Sequence, residues 1–344
     1  MPAKKTSGAP TSSDVARRAG VSQAAVSYVL NDPKNQNKHV SDEVRAAILQ
    51  AAQELGYSIH QPARSLRTGK SDEIAVIADL PASTFQSELF LGLQEAAFAR
   101  ELTPVLYFSH GLPSPRIETL LQRILARRPL GLIGTVQSMT EEHVALARRM
   151  GIEHIVVISA QPVNYAQTIT LPAREAGYLA AQHLLERGRH RLGLVRPVDD
   201  SFTEYGFQQR LEGMSAALAE RHMATPDILP MRLSLAGAQT LVDSLDRASD
   251  RPTAIYAYND EYALTLLSAL LDRGVRVPEE IAVIGTDDIA FGALMRPALT
   301  TIRFDASSIG RRAVEMLVAV QSDEPLPASL THPLTPQLIL RAST

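Results

Sequence analysis

The sequence contains no cysteine, which removes disulfides and thiolate metal sites together. Nowhere does it run to the ~20 uninterrupted apolar residues that a membrane-spanning helix needs, so no membrane partner is expected. The first thirteen residues are polar and lack the apolar core of a signal peptide, and a cytoplasmic location is the expectation. Catalytic signatures are missing too. There is no G-x-G-x-x-G, no H-E-x-x-H and no G-x-S-x-G. Thr68-Gly69-Lys70-Ser71 matches the end of a phosphate-binding loop, but Arg64 stands where its opening glycine belongs and no strand-like run precedes it. The nine histidines are scattered, and His183 and His190 lack metal-ligand spacing. The chain therefore reads as a non-enzyme, with neither cofactor nor metal.

What is present is 344 residues, 45% apolar and 21% charged. That is a soluble, globular composition, long enough for two or three domains. Charge is uneven. Residues 1–70 hold five Lys and five Arg against three Asp and two Glu, a surplus of five positive charges. The whole chain has a formal charge of −3, so the remainder carries −8. A basic head on an acidic body points to a polyanionic partner for the head alone.

Three helices fit the first sixty residues. Thr11 with Asp14 three positions later makes a capping-box-like start. Val15, Ala16 and Ala19 give that helix its apolar face, and Gly20 ends it. Ser22 caps a second helix with Ala25, Val26, Val29 and Leu30 on its inner side. After a polar run, 31–39, Ser41 caps a third helix, with Asp42 and Glu43 placed to suit the helix dipole. Its apolar residues Val44, Ala47, Ile48, Ala51, Ala52 and Leu55 recur at helical spacing, and Gly56 is the stop. Gly20-Val21-Ser22 between two short helices has the spacing of a helix-turn-helix, whose second helix enters the major groove.

Beyond residue 71 the pattern changes. Strand-like runs at 73–79, 105–108, 130–135, 155–159, 192–195, 254–258 and 281–285 alternate with amphipathic stretches such as 86–101, 174–187 and 260–273. This alternation predicts an α/β fold with parallel sheets covered by helices, and its extent predicts two sheets.

The run Asp14-Val15-Ala16-Arg17-Arg18-Ala19-Gly20-Val21-Ser22, then Val26-Ser27-x-Val29-Leu30-Asn31, Leu55-Gly56-Tyr57 and Ala63-Arg64-Ser65-Leu66-Arg67 closely resembles the LacI/GalR (lactose repressor and galactose repressor) family. So do later blocks, among them Arg210-Leu211-Glu212-Gly213, Tyr258-Asn259-Asp260-Glu261, Val277-Pro278-Glu279-Glu280-Ile281 and Asp287-Asp288-Ile289. The resemblance implies a three-helix helix-turn-helix head, a hinge helix, and two Rossmann-like subdomains of periplasmic-binding-protein type. On that basis residues 1–10 are a disordered lead, 11–60 the head and 61–71 the hinge and linker. The core is 72–344, with one subdomain at about 72–169 and 302–325 and the other at about 170–301 and 326–344.

The implied function is a sequence-specific DNA-binding regulator, a repressor by expectation, whose effector binds between the subdomains. The expected partners are double-stranded DNA bearing a pseudo-palindromic operator, a small-molecule effector and a second copy of the chain. By position Gln23, Ala24 and Tyr28 are the base-reading residues, Tyr28 touching either a base edge or a phosphate. Arg17, Arg18, Ser22, Ser27 and Arg45 are the phosphate contacts. Ala63 and Leu66 belong to the hinge, where Leu66 is expected to wedge into the minor groove and kink the duplex. Ser83, Phe85, Arg210, Asn259, Asp287 and Phe304 are the effector contacts. Asn259 and Asp260 could also cap a helix, and Asp287 and Asp288 could form a strand-end turn, one residue of each pair facing the ligand.

Departures from the family pattern bear on that ligand. Pro172 and Leu130 stand where acidic residues are common, and Leu233 where some relatives carry an aromatic. A sugar or sugar derivative is the expectation, with a plain hexose less secure. In the head, the 31–39 loop is about four residues longer than usual, and Ile59 replaces a common Pro while Pro62 adds one. The alternatives are a solute-binding protein or an enzyme built on the same α/β core. Residues 11–67 argue against the first and the missing catalytic motifs against the second.

Overall fold

The computed structural model describes residues 10–30, 40–57, 71–78, 84–109, 112, 114–198, 203–321 and 326–344. The expected lead up to residue 9, the long loop 31–39, the hinge helix with Ala63 and Leu66, and Ser83 lie outside them. The chain divides into two units, Met1–Ser71 and Asp72–Thr344.

In the first unit, α1 (Ser12–Ala19), α2 (Gln23–Leu30) and α3 (Asp42–Leu55) start and stop where the side chains dictate. The Thr11 hydroxyl accepts from the Asp14 N–H at 3.3 Å, and the Asp14 carboxylate accepts from the Thr11 N–H at 2.9 Å. The Ser22 hydroxyl accepts from the Ala25 N–H, and that of Ser41 from the Val44 N–H. Each such cap satisfies an otherwise orphaned donor and contributes ~1 kcal/mol. Gly20 and Gly56 end their helices at φ +68° and +63°, left-handed values that cost glycine nothing. Val15, Val26, Val29, Ile48 and Ala51 close a small core between the three helices.

The second unit holds two sheets. The first takes β1 (Glu73–Ala78), β2 (Thr103–Phe108), β3 (Gly131–Thr135), β4 (Ile155–Ser159) and β5 (Gln167–Thr170) in the order β2-β1-β3-β4-β5, all parallel. Its connecting helices are α4 (Thr84–Ala99), α5 (Ser114–Ala126) and α6 (Glu141–Arg149). The second takes β6 (Leu192–Pro197), β7 (Asp227–Met231), β8 (Ala254–Tyr256), β9 (Ala282–Thr286), β10 (Thr300–Arg303) and β11 (Gln337–Ile339) in the order β11-β10-β9-β8-β6-β7. Only β11 runs antiparallel among these. Its helices are α7 (Ala173–Glu186), α8 (Glu204–Ala219), α9 (Leu235–Arg247), α10 (Asp260–Asp272) and α11 (Ala290–Leu294). Strands β1, β4 and β9 are buried almost throughout, because helices cover both faces of a parallel sheet and the strands read as continuous apolar runs.

The chain changes sheets three times. It leaves the first after β5, returns after β10 to lay α12 (Ala306–Gln321) against α4, and crosses again through α13 (Ala328–Thr331) into β11. The second crossing falls a little later than the sequence expectation of 302. Ile302 pairs with Thr286 on one side and Leu338 on the other, so it and Arg303 belong to the second sheet. β5, β7, β10 and β11 were not among the sequence-predicted strands. Three of them are sheet edges, β5 mostly polar and β7 containing Pro230, which an edge strand tolerates, while β10 is an interior strand of only four residues, Thr300–Arg303.

Each sheet is backed by one tightly packed helix pair, and glycine allows the approach. A Cβ on Gly92 of α4 would fall 1.9 Å from the Ser307 carbonyl oxygen, and one on Gly310 of α12 would fall 2.0 Å from that of Leu89. In the second sheet a Cβ on Gly177 of α7 would fall 2.1 Å from the Arg210 carbonyl oxygen, and one on Gly213 of α8 would fall 1.9 Å from that of Arg174. The backbone of Arg210 is thus held in the close contact between α7 and α8.

Candidate DNA-reading head and effector cleft

On α2, Val26 and Val29 face the core, while Gln23, Ala24 and Tyr28 are exposed on the opposite side. Tyr28 is 57% exposed, unusual for a tyrosine in so small a domain. The Gln23 amide donates to the Ser12 hydroxyl at 2.8 Å. That bond uses one amide hydrogen and leaves the carbonyl and the second hydrogen, the pair that an adenine edge requires. Ser12 had no signal in the sequence, since its contact with Gln23 exists only once α1 and α2 have packed. Ser22 is exposed at the start of α2, while Ser27 and Arg45 are partly buried. Arg17 pairs with Asp14, and Arg18 with Glu54 across to α3. Hydrogen bonds from Thr11, and then the Arg17 charge, hold the Asp14 carboxyl below its usual range.

Between the two sheets lies a cavity of about 500 Å³. Its first wall is the C-terminal ends of β1, β3 and β4, and its second the ends of β8 and β9 with α8 and α10. Ligands of open α/β sheets bind outside the carboxyl ends of the strands. Phe85, Arg210, Asn259, Asp287 and Phe304 all line this one cavity.

Arg210 is 5% exposed. Its guanidinium carbon sits 4.4 Å from the Tyr258 ring centroid and 5.9 Å from that of Phe304, contacts that stabilise a cation by ~1–2 kcal/mol each when desolvated. Burial disfavours the charge, but Tyr256, Tyr258 and Asp287 outweigh it and the guanidinium stays protonated. Phe85 meets Phe304 edge-on at 6.5 Å.

Asp287 and Asp288 divide the two roles. Both have positive φ, +103° and +54°, a conformation that costs non-glycine residues ~1–3 kcal/mol and concentrates at functional sites. Asp288 pairs with Arg303 and Arg341 and anchors the turn. Asp287 lines the cavity, its carboxyl pushed up to about 7 by burial, against the pull of Arg210 and with Glu261 and Glu88 adding to the rise. In the other pair, the Asn259 side chain accepts from the Tyr262 N–H to cap α10 while also lining the cavity. Asp260 is structural. It accepts from the Thr301 hydroxyl at 2.6 Å and the Ile289 N–H at 2.9 Å, tying α10 to β10 and to the chain after β9. Gln86, Tyr205, Tyr258, Glu261 and the strand-end residues Thr135, Gln137 and Ser159 join the lining. Sequence reasoning missed these. Tyr258, Glu261, Thr135, Gln137 and Ser159 share one signal, a position at or just past a strand end, which the sequence marks only to within a few residues, whereas Gln86 and Tyr205 lie on helices. Leu233 lines the cavity as well, so its departure from the family pattern falls on the ligand side.

Residues 11–59 match the family of bacterial regulatory proteins of the lacI type, and 181–344 match the periplasmic binding protein-like domain. The chain is 28% identical to the HTH-type transcriptional repressor PurR of Haemophilus influenzae over 337 residues, covering 97% of this chain and 98% of that protein. It is 28% identical to PurR of Vibrio cholerae, covering 90% of each. Among solved structures, a LacI-family transcriptional regulator from Silicibacter pomeroyi superposes with a TM-score of 0.79 at 26% identity, covering 97% and 99% of the two chains. The lac repressor dimer bound to operator and the anti-inducer ONPF superposes with a TM-score of 0.82 at 22% identity, covering 98% and 99%, a likeness of fold. With its head and core both matched and repressors aligned along nearly its whole length, the chain belongs to the LacI/GalR family of DNA-binding transcriptional regulators and is not an enzyme.

Proposed function

We propose that the chain works as a cytoplasmic homodimeric repressor. Gln23, Ala24 and Tyr28 read each half of a pseudo-palindromic operator, and a small molecule held by Arg210, Asn259, Asp287, Phe85 and Phe304 sets operator affinity. The observation that carries this reading is the convergence of those five residues, drawn from distant parts of the sequence, on one cavity at the strand ends. Arg17, Arg18, Ser22, Ser27 and Arg45 serve the phosphates, the two paired arginines exchanging carboxylate for phosphate. Ala63, Leu66 and Ser83 keep the roles that the resemblance implies.

A second copy covers the apolar residues that α4 and the edge strand β2 leave exposed, Leu91, Phe98, Leu106 and Phe108, since exposed strand edges and contiguous apolar patches mark association surfaces. Lysines and arginines of the head displace counterions, so binding falls steeply with salt.

The test is a gel shift on an operator selected from a randomised palindrome. Gln23→Ala should cost about 1–3 kcal/mol on the selected site and relax base choice at one position. An equal loss on every sequence would make Gln23 a backbone contact. Asp287→Ala should keep operator binding and lose the response to the effector.

A further inference from the structure

We infer that the effector carries a carboxylate that seats on Arg210. This inference rests on the reading of the cleft as the effector site and narrows the class of molecule that fills it.

Arg210 is a buried cation whose one side-chain hydrogen bond goes to Tyr256, which leaves the rest of its donor fork unmatched. Its Nε is inaccessible to solvent and has no hydrogen-bond partner. No carboxylate among the described residues lies within 4.0 Å of its guanidinium, although fifteen such ion pairs occur elsewhere among them. Its neighbours are ring faces and tyrosines: Tyr258 at 4.4 Å, Phe304 at 5.9 Å, and Tyr256, whose hydroxyl is already shared with Thr286. An arginine offers five N–H donors in a planar fork that matches a carboxylate two bonds at a time. Leaving a buried donor unmatched is costly, more so when it is charged. A neutral hydroxyl would fill one donor; a carboxylate fills two and cancels the charge.

The acidic groups in the lining do not fill that place. Asp287 after β9 faces Arg210, and Glu261 on α10 and Glu88 on α4 face Asp287. Asp287 influences Arg210 by charge alone, and burial pushes its carboxyl up to about 7. Near neutrality it is therefore part-protonated and able to donate to an incoming carboxylate oxygen rather than repel it. The rest of the cavity suits a small body of either kind. Leu89, Phe90 and Leu171 offer apolar contact, and Gln137, Ser159 and Asn259 offer hydrogen bonds. The body is thus hydroxylated, as in a sugar acid, or apolar, as in an aryl or branched aliphatic acid, and the experiment separates them.

The full chain is titrated calorimetrically with two matched pairs: galacturonate against galactose, and phenylacetate against phenylacetamide. The expected result is that the acid of at least one pair binds about ten-fold or more tighter than its neutral mate, the worth of one charge-assisted bond. The pair showing the preference identifies the body. Arg210→Gln should bring acid and neutral mate to within about three-fold of each other. Affinity for the acid should rise as pH falls from 8 to 6, with proton uptake. Asp287→Asn, close in shape to the wild type, should flatten that pH dependence while keeping the preference for acid. The inference is overturned if the neutral mate binds as well in both pairs, if no probe binds, or if the acid's advantage survives Arg210→Gln. Should that variant fail to fold, a pH-independent preference in the wild type overturns it instead. The two levels fail separately. Neutral probes that bind and change operator affinity would leave the cleft reading standing and remove this one. An acid that binds through Arg210 without changing operator affinity would do the reverse.

Discussion

The two walls of the effector cleft are built alike and lined differently. Each is the carboxyl edge of a parallel sheet, and each sheet is backed by a helix pair held close by two glycines. The first wall presents Val76, Ala78, Ile133, Gly134, Ile158 and Ala160, with Gln86, Thr135, Gln137 and Ser159 as its polar, uncharged points. The second presents Arg210, Tyr258, Asn259, Glu261 and Asp287, and holds both acidic residues of the lining. The shared architecture makes a crevice. The first wall limits what fits in it, and the second decides what charge it accepts.

The largest effects come from the helix pairs. Gly177→Ala and Gly310→Ala each drive a methyl against a facing backbone carbonyl, which has no rotamer to yield. Overpacking of this kind costs roughly 1–3 kcal/mol or more, and urea unfolding should show a loss of about 3 kcal/mol in each. Only Gly177→Ala should also weaken ligand binding, because the carbonyl it strikes is that of Arg210. Equal loss of ligand affinity in both variants would erase the distinction between the walls.

A smaller effect follows from acidity behind the second wall. Burial raises the Asp260 carboxyl to about 8, the Thr301 hydrogen bond only partly opposing it, and Asp287 rises to about 7. Between the ordinary aspartate range and those values, the folded state holds protons that the unfolded state has lost. Stability is therefore greatest at the acid end of that window and falls as pH rises toward 8, by up to about 1.4 kcal/mol per pH unit for each group. Asp260→Asn should remove its share of the slope. A melting curve as steep in the variant as in the wild type, between pH 6 and 8, would place the sensitivity elsewhere.

The smallest effect belongs to the polar points of the first wall. Ser159→Ala should change ligand affinity by ~1 kcal/mol or less, a single neutral hydrogen bond, and by the same amount for an acid and its amide. A variant that altered the acid alone would move charge selection to the wrong wall.

The head was legible almost residue by residue, because its information is local. Thr11, Gly20, Ser22, Ser41 and Gly56 act on groups three or four positions away, and the structure finds each at its cap. Strand order and cleft composition are not local. Arg210, Asp287 and Phe304 could be nominated only by resemblance, and nothing near Gln86 or Tyr205 in sequence distinguishes them from other helix residues. The division of labour between Asp287 and Asp288 was open for a physical reason. Two adjacent aspartates at a strand end serve equally well as turn residues, and only the positions of Arg303 and Arg341 decide which one is taken.

The return of the chain at α12 sets a timetable for synthesis. The first sheet is threaded from residues 73–170, but the helix that packs on α4, β3, β4 and β5 is not made until residues 306–321. A growing chain therefore completes every strand of its first sheet while the face carrying Ile133, Val156 and Leu93 still lacks its cover. β11, the last strand of the second sheet, comes later still. The first subdomain is finished only after all of the second sheet but β11 has been made, and premature termination upstream of Gln321 leaves an aliphatic face bare to aggregation. The threefold crossing that makes a cleft between two sheets also commits the ribosome to deliver nearly all of both before either is whole.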